Sequence, residues 1–235
     1  MTEATEPKAL RPVIKELLPL WLGTLLAIRA VVMAHDAGLH EIVLAAVPFL
    51  FVYVPVYLCE WRKVDSYDYH LALPAFSDRA AWKEAAVAAG TLIAVILLPW
   101  LVGYHLYQTW IFHLQPTLRA PKDAWLLVPY HLFFVAIPEE FFYRGYFQTR
   151  LNEVLPKRWT VFGVQIGWSL PITALFFAFG HSLVTVRWWH FAIFFPALAF
   201  GWLREKTRGT LAGAFFHAWC NITVAWLDAI YGVRL

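Results

Sequence analysis

Charge is scarce in this chain: of 235 residues only 15% are Asp, Glu, Lys or Arg, far fewer than a water-soluble domain of this length carries. The net charge of +3 is small, and the basic residues gather near the ends of apolar runs, which excludes a nucleic-acid surface. Cysteine is nearly absent. Cys59 and Cys220 lie far apart in apolar stretches with no CxxC spacing, so neither a disulfide framework nor a cysteine zinc site is expected, only buried thiols. Period-two alternation is missing, which excludes a membrane β-barrel. No HExxH, internal repeat or low-complexity linker occurs.

What remains is hydrophobic: 60% of residues, with a mean hydropathy of +0.56. In lipid the backbone must satisfy its own hydrogen bonds, so apolar runs of roughly 20 residues are read as helices. Windows fall at 17–34, 41–59, 83–105, 124–150, 165–186, 188–203 and 209–230. The expected fold is all-α: a polytopic membrane helical bundle of about seven transmembrane helices. It forms one domain, 11–235, behind a mobile cytoplasmic tail, 1–10. Lys8, Arg11 and Lys15 precede the first window as in a signal peptide, but Arg29 inside it and its length favour a retained helix. Tryptophans 21, 61, 82, 125, 159, 188, 189 and 202 near window ends suit the headgroup level.

Arg29 and Arg144 lie within spans. With the N-terminus inside, the other inner segments carry Lys8, Arg11, Lys15, Arg62, Lys63, Arg79, Lys83, Arg150, Lys157, Arg158, Arg204, Lys206 and Arg208. The outer ones carry Arg119, Lys122, Arg187 and Arg234, so the bias predicts a cytoplasmic N-terminus. The third window stays apolar to residue 114, longer than the bilayer needs, and either a kink at Pro99 or an end lying along the outer interface is expected.

Ionisable residues inside spans are costly and mark functional sites by default. "AIPEEFFYRGYFQTR", residues 136–150, holds Glu139 and Glu140. Glu140 and Arg144 are four apart and expected to pair, whereas Glu139 points about 100° away with no cation on its own helix, making it the general-base candidate. "HAWCN" sets His217 and Asn221 one turn apart on one face, and "FFAFGH" ends at His181 beside Gly180, which leaves room for close approach. Taken singly, each has a bland reading: a stabilising charge cluster, a packing histidine as for His105, His113 and His131, or interhelical glue.

Together, "EEFFYR", "FAFGH" and "HAWCN" resemble the EExxxR, FxxxH and HxxxN motifs of the CPBP family of CAAX prenyl endopeptidase-like glutamic intramembrane proteases. The resemblance covers about 125–230. It implies that Glu139 activates water with His181, that His217 and Asn221 stabilise an oxyanion, and that Glu140 and Arg144 hold the site's shape. It implies an endopeptidase with no cofactor and no metal. Its partners would be a membrane-anchored protein substrate and the lipid bilayer, with no nucleic acid. The substrate would be either a prenylated cysteine tail or, as in the myxosortase branch, a bacterial C-terminal sorting signal. Composition favours the latter and a bacterial inner membrane. Zinc held by the same histidines and carboxylates is the rival chemistry, and a proton-relaying transporter and a non-catalytic scaffold are rivals from other classes.

Depth constrains the site. Glu139 lies roughly 16 Å from the inner end and His217 roughly 12 Å, but a straight helix from 160 would carry His181 about 32 Å up. A shared site therefore requires a break near 168–171, where Ser169 and Pro171 suit a helix start.

Overall fold

The computed structural model describes residues 9–185 and 188–233. Seven helices account for most of them. They are α1 (Leu10–Asp36), α2 (Ala46–Arg62, entered through a 3-10 turn at Glu41–Ala45) and α3 (Arg79–Leu106), then α4 (Ala124–Asn152), α5 (Ser169–Thr185), α6 (Phe194–Thr207) and α7 (Leu211–Tyr231). Each answers to one apolar window. Of the expected tail, residues 1–8 lie outside the described residues, and Leu10 already opens α1.

Among the described residues, four helical stretches are long and apolar enough to cross a membrane: Leu10–Asp36, Glu41–Arg62, Arg79–Ile111 and Ala124–Asn152. The chain is thus a multi-pass membrane protein. α7 has the length but carries His217, Asn221 and Asp228, whose polarity offsets its apolar residues. The α3 helix runs through Pro99 to Leu106 and ends in a π turn at Tyr107–Ile111, so the apolar excess is used as helix and then as a widened last turn.

Helices α1, α2, α5, α6 and α7 pack against α4. Every residue of 136–148 is buried, although the segment includes two glutamates and an arginine. A helix hidden on all sides needs neighbours on all sides, and α2, α5, α6 and α7 supply them. Two π turns, Tyr130–Ala136 and Phe141–Phe147, bracket the glutamates. The first has a local cause: Pro138 has no N–H for the carbonyl four residues back and would crowd it, which a widened turn relieves.

One end of the bundle is tied by charge. Glu16 of α1 accepts from Arg150 Nη2 at 2.6 Å and from Tyr146 Oη at 2.6 Å. Glu205 of α6 accepts from Gln148 at 2.8 Å, Asn152 at 2.7 Å, Arg204 at 2.7 Å and Lys157 at 2.5 Å. Arg29, odd inside a span, gives Nη1 to the Val184 carbonyl at 2.7 Å at the far end of α5. Trp21 is core rather than interface, its Nε1 bonded to the Phe176 carbonyl at 3.2 Å.

The fifth window needs correction at its start. Residues before Ser169 form an antiparallel hairpin, β1 (Lys157–Val161) and β2 (Val164–Gly167), with Val161 opposite Val164. Phe162 and Gly163 both have positive φ, 48° and 77°, the two-residue turn whose twist matches paired strands. Ile166 falls inside the fifth window, yet it and the hairpin's valines are β-branched residues on short strands. Its consequence is the expected break: α5 begins at Ser169, whose hydroxyl donates to Asn152 Oδ1 rather than capping its own helix.

Candidate functional site

Three helices deliver the site to one volume. Glu139 and Glu140 come from α4 between its π turns, His181 from α5 and His217 from α7. Starting α5 at Ser169 places His181 twelve residues along it, roughly 18 Å, level with the other two.

Glu140 and Arg144 form the floor. Both are fully buried, with Arg144 Nη1 on Glu140 Oε1 at 3.0 Å and Nη2 on the Ala197 carbonyl of α6 at 3.0 Å. The guanidinium also lies over Phe177 at 4.4 Å and Phe200 at 5.0 Å from the ring centroids. A planar, weakly hydrated cation is the group such a slot accepts.

Glu140 has a second duty that the sequence did not disclose. Its Oε1 lies 3.2 Å from His217 Nδ1, while the imidazole stacks on Phe200 at 4.6 Å and 15°. Glu140 thus accepts from Nδ1–H, which fixes the ring and leaves Nε2 as the end free to exchange a proton. The arrangement follows the logic of a carboxylate orienting a catalytic histidine.

Nε2 of His217 faces Glu139 Oε2 at 3.9 Å, and Nε2 of His181 faces the same oxygen at 3.8 Å. The ring of His181 is fixed too: its Nδ1 bonds the Phe177 carbonyl at 3.0 Å and its face packs on the Phe177 ring at 4.5 Å. Phe177, the first residue of "FAFGH", therefore both orients His181 and covers Arg144. Glu139 Oε2 is buried without a hydrogen-bond partner among the described residues. Distances near 3.8 Å are too long for direct bonds, and one oxygen-sized group beside the line between them reaches both partners at ordinary hydrogen-bond length.

Asn221 sits one turn beyond His217 on α7, half-buried, and makes no side-chain hydrogen bond among the described residues. The structure therefore brings together Glu139, Glu140, Arg144, His181 and His217, with Asn221 adjacent in sequence and turn. His105 bonds Tyr231 Oη through Nδ1 at 2.5 Å, the packing role expected of it. Cys59 and Cys220 are free and buried. Among the described residues, no group of three or more His, Cys, Asp or Glu is arranged to hold a metal ion.

Glycines allow the approach. A Cβ on Gly213 would stand 2.8 Å from Glu140 Oε2, and one on Gly180 would stand 2.7 Å from Tyr143 Oη. Small residues at such contacts let membrane helices close on each other. Gly213→Ala is expected to cost about 1–3 kcal/mol of stability and to lower any activity that depends on His217. Thermal unfolding in detergent checks the first expectation. An unchanged midpoint would mean that Glu140 has slack.

A cavity of about 150 Å³ borders the site on one side, walled by Leu25, Ile28, Val47 and Phe51 of α1 and the α2 region and floored by Glu139 and His181. Its walls are apolar and its floor is not.

Residues 121–223 match the family model described as Rce1-like, type II CAAX prenyl endopeptidase Rce1-like. The match covers somewhat under half of the chain and contains all six candidate residues, whereas residues 1–120 lie outside it. No curated protein and no solved structure matches the chain.

Proposed function

We propose that this chain is a glutamic intramembrane endopeptidase that cleaves near the C-terminal tail of a membrane-anchored protein. The observation that carries the reading is the orphaned Oε2 of Glu139, facing Nε2 of two histidines whose other nitrogens are engaged. Burying a carboxylate in this way is costly, and an ionisable residue kept inside a span at that cost marks a functional site. The match to an endopeptidase family over 121–223 points to the same chemistry.

In the proposed reaction Glu139, aided by His181, takes a proton from water as the water oxygen bonds the scissile carbonyl carbon. The oxyanion then faces Asn221 Nδ2 and the Nε2 edge of His217, whose ring is held at Nδ1 by Glu140. Collapse breaks the C–N bond, and the amine leaves with the proton held by Glu139. Donors aimed at developing charge in a water-poor site contribute more than they would in water.

The apolar cavity beside Glu139 suits a polypeptide side chain arriving within the bilayer. Of the two tail types, the reading favours a hydrophobic helix followed by a basic end, a bacterial C-terminal sorting signal in the inner membrane, over a prenylated cysteine. The lysine and arginine distribution puts the N-terminus in the cytoplasm. No metal enters this mechanism.

Purified protein in vesicles, offered a reporter with each tail type and read by product mass, tests the reading. Cleavage of the sorting-type reporter, unchanged by a strong chelator, is expected. Loss of cleavage with the chelator and its return with zinc would replace the glutamate mechanism with a metal one. Two uncut reporters would remove this reading of the substrate.

A further inference from the structure

Away from the catalytic centre, α3, α6 and the hairpin enclose a continuous groove that the mechanism leaves unused. Two cavities of about 390 and 500 Å³ share Leu92, Phe162 and Trp202, and their walls are almost wholly apolar. Along α3 the second runs from Glu84 to Val95, about 16 Å at the helical rise, which is the hydrocarbon depth of one leaflet.

At the charged end of the bundle the groove meets a polar cavity of about 550 Å³. Lys206 lines both, and Gly163 of the hairpin tip is next in sequence to Phe162 of the groove, so chamber and groove adjoin. Four cations line the chamber: Lys157, Arg204, Lys206 and Arg208. Glu205 occupies Lys157 and Arg204. Lys206 and Arg208 are exposed and form no ion pair among the described residues. His70, also in the wall, is pushed down to about 4 by burial and by the charge of Arg204, so at neutral pH it adds no charge.

The hairpin is built to sit at a headgroup boundary. Phe162 at its tip is 91% exposed, and Trp159 and Trp168 pack edge to face beside it. Trp202 fixes it to α6 by donating Nε1 to the Val161 carbonyl at 2.9 Å, while Lys206 lies 5.2 Å over the Trp202 ring. Aromatic rings at the interface with cations just outside an apolar trough form the complement of one acyl chain under one phosphate.

We infer that this groove and chamber hold an anionic phospholipid of the cytoplasmic leaflet, an acyl chain between α3 and α6 and its phosphate at Lys206 and Arg208. Glu84, exposed on the α3 wall, does not approach those cations in an ion pair. The assignment depends on a cationic chamber adjoining an apolar groove of leaflet depth, a combination that scattered positive-inside residues do not create.

The test compares wild type, the Lys206→Glu/Arg208→Glu double variant, Thr91→Trp and Lys63→Glu in phosphatidylcholine nanodiscs containing a minor fraction of phosphatidylglycerol. Lipid retained per protein is counted by native mass spectrometry. Thr91 is exposed on the α3 wall, so tryptophan there fills the groove without entering the core. Lys63, like Arg208, ends a helix in a left-handed conformation, so it controls for charge reversal at such a position.

Wild type should retain phosphatidylglycerol preferentially. The double variant should lose at least about tenfold of that preference, as two surface cations allow. Thr91→Trp should lose retention of any lipid at this site, and Lys63→Glu should change neither. Equal loss in Lys63→Glu would reduce the effect to general surface charge. Retention unaffected by the double variant, or displacement of the lipid by millimolar inorganic phosphate alone, would overturn the assignment.

Discussion

Glu139→Gln is expected to lower peptide-bond hydrolysis by about 10²- to 10⁴-fold while leaving the protein at least as stable as wild type. The two halves of the result share a cause. A carboxylate held out of water with no hydrogen bond to its Oε2 contributes reactivity at the expense of stability, and glutamine keeps its shape without its basicity. Activity is read on whichever tail the wild type cuts, and stability by thermal unfolding in the same detergent. An active Glu139→Gln protein would transfer the base to another group. An unfolded one would make Glu139 a structural residue.

Arg144→Met is expected to behave in the opposite way, costing roughly 3–5 kcal/mol because it strands the fully buried Glu140 carboxylate. Arg144→Lys should fall between: it keeps the charge but loses the planar fork that reaches both Glu140 and the Ala197 carbonyl from between Phe177 and Phe200. Combining Arg144→Met with Glu140→Gln should recover part of the loss, since no charge is then left unpaired. That double variant should still hydrolyse poorly, because a neutral amide replaces the carboxylate that holds His217. A double variant as unstable as Arg144→Met would show that the aromatic slot around the guanidinium, and not the ion pair, sets the cost.

These contrasts depend on features of different legibility. Hydrocarbon thickness imposes a length on every span, so the seven apolar windows located the seven helices to within a few residues at most ends. The Glu140–Arg144 pair was equally accessible, since residues four apart on a helix meet whatever surrounds them. The start of α5 followed from arithmetic on depth, and the helix does begin at Ser169.

The hairpin was not legible because Ile166 fell inside the fifth window, while Val161 and Val164 lay in the short stretch before it, with too little alternation to mark two strands. Phe162 at positive φ is, moreover, an unusual choice for a tight turn. Nor was the link from Glu140 to His217, 77 positions apart on α4 and α7, which depends on Gly213 being small enough to let the carboxylate through. Local spacing cannot reveal contacts that three helices make together. The π turns around Pro138 belong to the same class, since one proline permits a kink, a bulge or a helix end, and packing selects among them.

The most direct test of the account is a mass-spectrometric comparison of protein C-termini in membrane and surface fractions of cells that contain either the wild type or Glu139→Gln at equal abundance. The account predicts a set of tails, each with a hydrophobic helix near its end, trimmed by the wild type and left whole by the variant. Identical termini in both, alongside an effect of deleting the whole protein, would contradict it and assign the buried glutamates to scaffolding or transport.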